Sequence, residues 1–139
     1  MKFPLLSASA LALAALAFGQ NALAHGNHEE EKVTPLQIRK LPDIPGKQAI
    51  VAIVDFAPGQ AAQPHAHPGS LFAYVLEGEL VSQLEGQAPV TYRKGQTWYE
   101  PPHVDHVVAR NPSRTRPARL LVHVLVDEGG QVKQPLEQR

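Results

Sequence analysis

The sequence predicts an all-β domain, and three observations carry that prediction. Short apolar segments recur at roughly ten-residue spacing, each closed by Gly, Pro or acidic turn residues. No helical period of 3–4 residues appears outside the first twenty or so positions. Thirteen Pro and ten Gly in 139 residues suit many tight turns better than a helical bundle. The length allows one domain, and the pattern alone leaves sandwich and barrel both open.

Residues 1–24 stand apart from the fold. Lys2 supplies a positive start, residues 5–18 are apolar, and Ala22-Leu23-Ala24 offers small residues where a signal peptidase reads. Ser7, Ser9, Gly19, Gln20 and Asn21 interrupt the stretch, which argues against a spanning helix. We therefore expect a secretory signal peptide over 1–24, cleavage before His25, and a periplasmic or secreted protein with no membrane attachment afterwards. Residues 25–32 hold no apolar side chain and read as a polar tail. Residues 33–41 read as an edge strand, since Pro35 is tolerated at an edge, and 42–46 form a turn. Residues 25–46 are thus a polar tail and edge segment.

The predicted barrel domain spans 47–126. Residues 49–54 are a continuous run of Ala, Ile and Val, as in a strand buried on both faces. Residues 71–76 form the next strand, stopped at Glu77-Gly78-Glu79. Leu80, Ser82 and Leu84 alternate with Val81, Gln83 and Glu85, which gives a half-exposed strand. After a turn at 85–89 the chain returns over 90–94, and Gly95 opens a strand at 97–100 that Pro101-Pro102 closes. Residues 106–109 and 119–126 complete the set, and 127–139 read as a polar C-terminal tail.

Composition excludes several functions. With 13 basic and 13 acidic residues the formal net charge is zero, so electrostatic binding of nucleic acid is not the main business. The absence of Cys excludes a disulfide framework, a zinc ribbon and a thiol nucleophile.

Five of the seven histidines lie in the strand region: His65, His67, His103, His106 and His123. Side chains at i and i+2 of a strand share a face, so His65 and His67 can address one ion. Neutral imidazole suits Zn, Fe, Cu, Ni and, beside oxygen ligands, Mn. His123, in the apolar stretch 120–125, reads as a core histidine with a hydrogen-bond partner. His103 reads as a mouth residue. Trp98, Tyr74, Tyr92 and Tyr99 read as core and mouth packing. Arg110, Arg114, Arg116 and Arg119 read as a solvated loop.

Gly59, His65-Ala66-His67 and Tyr74-Val75-Leu76-Glu77-Gly78-Glu79, followed by Gly95, Pro101, His106 and Asn111, resemble the two motifs of the cupin family in order and spacing. The resemblance covers about residues 47–126. It implies a small antiparallel jelly-roll β-barrel with a divalent transition metal (Fe, Mn, Zn, Ni or Cu) held by His65, His67 and His106. Two positions depart from the family pattern. Leu71 stands where the first motif usually has glutamate, and His103 where the second usually has glycine. Glu100 then becomes the candidate catalytic base or partner of the metal site, with a water-facing rim residue as the other reading. With the expected signal peptide, the resemblance implies an exported mononuclear-metal enzyme, oxygenase-like, acting on a small molecule. A non-catalytic periplasmic module for a small ligand or metal is the alternative. A homodimer is expected, with the 33–41 edge pairing across a two-fold.

Overall fold

The computed structural model describes residues 30–136. The signal segment predicted over 1–24, and His25, lie outside these residues. Among the described residues there is no α-helix, and ten strands build two five-stranded antiparallel sheets. The first sheet runs β1 (Lys32–Lys40), β2 (Lys47–Phe56), β9 (Ala118–Asp127), β4 (Ser70–Glu77), β7 (Thr97–Glu100) in spatial order. The second runs β10 (Gln134–Pro135), β3 (His65–Ala66), β8 (Asp105–Arg110), β5 (Glu79–Leu84), β6 (Val90–Arg93). The inner faces enclose one core, as in a jelly roll.

Strand period decides which residues fill that core. Along β9, Ala118, Leu120, Val122, Val124 and Val126 are buried, while Arg119 and His123 point out. From β2 come Ile50, Ala52 and Phe56, and from β4 Leu71, Ala73 and Val75. The second sheet contributes Leu80 and Ala109. The expectation that β2 is buried on both faces is corrected: Val51 and Ile53, on its outer side, are only half-buried. The run is apolar throughout because β1 and β9 flank it while the outer face of this sheet is itself rich in apolar side chains.

Two local devices hold the sheets in register. Gly69, just before β4, lies so close to β9 that a Cβ there would sit 1.7 Å from the Leu125 carbonyl oxygen. Asn111, 2 % exposed, donates through Nδ2 to the carbonyls of Ala57 (3.1 Å) and Arg116 (2.7 Å) and accepts from the Ser113 N–H (3.0 Å). That side chain replaces a missing ladder and ties the loop after β8 to the end of β2.

Residues 127–139 are not simply a tail. β10 pairs with β3 through Gln134↔Ala66 and Pro135↔His65, which brings Val132 and Lys133 against the interior. A polar two-residue strand has no periodicity to announce it. β1 forms as expected, at the free edge, with Val33, Leu36 and Ile38 half-exposed.

Candidate metal centre

The antiparallel register of β3 and β8 sets His65 directly opposite His106, with ring centroids 5.2 Å apart. His67 follows two residues on and meets His65 edge-on at 4.9 Å. A fourth group arrives from the other sheet. Glu100 ends β7 and pairs across the ladder with Leu71. The carboxylate therefore reaches the centre from the strand beside the position where a leucine replaces the family's glutamate. His65, His67, Glu100 and His106 are all buried, and one donor atom from each lies within 4.8 Å of the others. Glu100 is 3 % exposed, so of its two readings the interior one holds and the rim one does not.

Hydrogen bonds orient each donor. Nδ1 of His65 lies 2.7 Å from the Gln63 carbonyl, and Nδ1 of His67 lies 2.7 Å from that of Val132. A carbonyl only accepts, so each Nδ1 carries the proton and each Nε2 keeps its lone pair for the centre. His106 is held from its other side, with Nε2 2.8 Å from Ser82 Oγ. Trp98 donates its indole N–H to Glu100 Oε1 at 2.9 Å, which leaves Oε2 turned to the histidines. Glu100 Oε2 is 3.2 Å from His106 Nδ1 and 3.6 Å from His67 Nε2. Neither contact is aligned as a hydrogen bond, and both Glu100 Oε2 and His106 Nδ1 are buried without a partner. A buried carboxylate oxygen and a buried imidazole nitrogen facing one another without a hydrogen bond are what a cation satisfies.

Burial pushes His65 down to about 4, aided by the neighbouring His67, His106 and Lys133 and opposed by the Gln63 carbonyl. It also lowers His67, against the pull of the Glu100 carboxylate. For Glu100 burial works upward, but His106, His67 and the Trp98 N–H outweigh it and hold the carboxyl below its ordinary value. His65 and His67 are thus held neutral and Glu100 is held as the anion, the states that metal ligation requires of them.

The tertiary structure separates the remaining candidates. His103 is exposed, outside the cluster, and its N–H donates to the His67 carbonyl at 2.7 Å. Its φ of 63° lies in the left-handed region. That is the physical reason for the glycine usual at this position: the turn is kept although a side chain is present. His123 is corrected from core histidine to outer-face residue, since it falls on the odd phase of β9 beside Phe72 and Val51. Tyr74 and Tyr99 likewise point outward and are about two-fifths exposed, whereas Trp98 is buried and stacks on Tyr92 at 4.7 Å. Arg110, Arg114, Arg116 and Arg119 are exposed, and Arg119 pairs with Asp55 at 2.7 Å.

A cavity of about 350 Å³ opens on the centre between the sheets, walled by side chains such as Ala52, Phe56, Leu71, Ala73 and Val122. Three residues of this region escape sequence reading. Ser82 carries a visible signal, a hydroxyl on the phase of Leu80 and Leu84. Glu31 and Lys133, which also line the cavity, carry none, because each sits in a polar stretch.

The family profile described as a cupin domain matches residues 52–124. Among solved structures, TT1209 from Thermus thermophilus is 28% identical, with a TM-score of 0.55 over 73% of this chain and 89% of that one. Oxalate oxidase in complex with the substrate analogue glycolate is 26% identical, with a TM-score of 0.55 over 73% of this chain and 58% of that one. The DMSP lyase DddQ from Ruegeria pomeroyi DSS-3 superposes with a TM-score of 0.65 over 87% of this chain and 59% of that one, at 20% identity. No curated protein matches the sequence.

Proposed function

The chain belongs to the cupin family, and from that premise we propose that it is a mononuclear divalent-metal enzyme, oxygenase-like, acting on a small molecule inside the barrel. The observation that carries this reading is the buried set of three imidazole nitrogens and one carboxylate oxygen, each oriented by its own hydrogen bond, at the floor of an apolar cavity. His65, His67 and His106 would hold the ion, with Glu100 as the charged fourth donor. Three nitrogens and one oxygen suit Fe, Mn, Zn, Ni or Cu. Such an ion supplies Lewis acidity and open coordination positions when bound.

The chain's own residues do the rest. Gln63, Val132 and Ser82 fix the rings, an arrangement that keeps the donors pre-aligned. Trp98 holds one oxygen of Glu100 and so turns the other, as the fourth donor, to the histidines. The apolar walls exclude water and select compact ligands. Glycolate in the related oxalate oxidase supports a small-molecule ligand in the same fold. Elemental analysis of the purified protein should return about one transition-metal ion per chain, falling to background in His65→Ala and His106→Ala. Oxygen uptake should accompany turnover of a small-acid panel. Metal bound equally by the alanine variants refutes the site, and turnover without oxygen uptake refutes the oxygenase assignment.

We also propose export and pairing. Cleavage before His25 is read directly by the N-terminal sequence of the protein recovered from periplasm or medium, and an intact Met1 there refutes it. A second copy would cover the outer face of the first sheet, where β1 is the free edge. Neighbouring rows there run Val51, His123, Phe72, Tyr99 and Ile53, Leu121, Tyr74. Five strands ~4.8 Å apart and about 25 Å long give roughly 600 Å² per copy, near the ~800 Å² of a stable interface. The Asp55–Arg119 pair on the same face offers both charges to its own copy across a two-fold. Sedimentation should give a dimer that Phe72→Lys converts to monomer; a monomeric wild type at tens of micromolar overturns the pairing.

A further inference from the structure

The cavity holds a second polar pair beside the metal ligands. Lys133 Nζ lies 2.5 Å from Glu31 Oε1, joining the residue before β1 to the residue before β10 across the sequence. The register of β10 with β3, continued by one residue from Gln134↔Ala66, sets Lys133 beside His67 on the inner face. Both side chains line the cavity. The Glu31 side chain is 7% exposed, and its Oε2 is buried without a hydrogen-bond partner. The ammonium has three donors and spends one on Glu31. This pair therefore sets N–H donors of Lys133, whose side chain is 27% exposed, next to an unfilled acceptor in the lining that also holds the metal ligands.

Charge narrows the ligand further. With a divalent ion, Glu100 and the Lys133–Glu31 pair, the chamber carries one net positive charge. A monoanion brings it to neutrality, whereas a dianion leaves an uncompensated negative charge among apolar walls, which is costly. An acceptor group on the ligand fits Lys133, and a donor beside it fits Glu31 Oε2.

We propose that Lys133 and Glu31 form a ligand-recognition pair beside the metal ligands and select a small hydroxy-monocarboxylate, its carboxylate on Lys133 and its hydroxyl on Glu31. This inference rests on the metal reading above, because the charge balance includes the ion. Lys133 is here a binding residue and Glu31 both its anchor and the hydroxyl acceptor.

The test uses the full chain loaded with Co²⁺, with propionate, lactate and malonate as probes. The cobalt absorption spectrum and calorimetric titration are the readouts. Wild type should bind lactate at least fivefold more tightly than propionate, and malonate no more tightly than lactate. Lys133→Met should weaken both monocarboxylates at least tenfold while Co²⁺ affinity changes less than threefold. Lys133→Arg should restore most of the binding. Glu31→Leu should reduce the lactate preference to near one and shift selection towards malonate, because it removes a negative charge. Thermal melts of the variants distinguish lost binding from lost folding, and Lys133→Arg keeps the test decisive if Lys133→Met is unstable. Wild-type affinity for both acids in Lys133→Met, or an unchanged lactate preference in Glu31→Leu, overturns this inference and leaves the metal site standing. Failure of the wild type to hold Co²⁺ overturns the metal reading and this inference with it.

Discussion

Replacing Glu100 by glutamine tests whether the carboxylate from β7 is a metal ligand. Glutamine keeps the shape of the side chain, and its carbonyl can still accept the Trp98 N–H that now bonds Oε1 at 2.9 Å. What it loses is the anion whose Oε2 sits 3.2 Å from His106 Nδ1 and 3.6 Å from His67 Nε2. Groups that merely orient a ligand are worth about 10–100-fold in metal affinity. An anion bonded to the ion among three neutral imidazoles should exceed that range, so we expect a loss of at least ~100-fold, about 2.7 kcal/mol. The folded structure should survive, because no hydrogen bond is forfeited and no volume changes. The assay is competition of wild type and Glu100→Gln with a chelator of known strength, alongside chemical denaturation of both metal-free proteins. Affinity within threefold of wild type would refute the argument. It would mean that three histidines suffice and that the Oε2 geometry reflects packing alone.

Leu71→Glu places a second carboxylate opposite Glu100. Since Glu100 already supplies the charge, metal affinity should rise less than about tenfold, while the metal-free protein loses roughly 2–4 kcal/mol from an unpaired buried carboxyl and lost packing; a large affinity gain without that cost would show Glu100 not to be a ligand. Metal-free wild type should lose stability as pH falls from 6.5 to about 4, because His65 is protonated in the unfolded chain across that window and neutral in the folded one. A shift of that size amounts to about 3 kcal/mol, His67 acts in the same direction, and denaturation midpoints at pH 7, 5.5 and 4 read it; a flat profile refutes it. Gly69→Ala should destabilise by about 3 kcal/mol or more, since the added methyl meets the rigid Leu125 carbonyl at 1.7 Å; unchanged thermal stability would refute the close approach.

Most of the strand content was legible because period and turn chemistry are local. The alternation of β4 placed Leu71, Ala73 and Val75 on one inner face, and His65 and His67 shared a face by the same rule. The resemblance of Gly95, Pro101 and His106 to the second cupin motif marked the third histidine in advance. The same local logic misjudged His123, Tyr74 and Tyr99. An apolar neighbourhood in sequence does not say which side of a sheet a residue takes when both sides are apolar.

What the sequence determined by itself was therefore the all-β class and most of the strands, readable from local pattern, while the family resemblance of its motifs singled out the three histidines. Tertiary structure decided how the site is completed. Leu71 and Glu100 are 29 positions apart yet become one cross-strand pair, so the missing carboxylate returns from a different strand. Glu31 and Lys133 are 102 positions apart and meet through a salt bridge that no local pattern encodes. The physical reason is that closing two sheets over one core fixes neighbours by ladder register and not by distance along the chain, and register is set by the whole inner face at once.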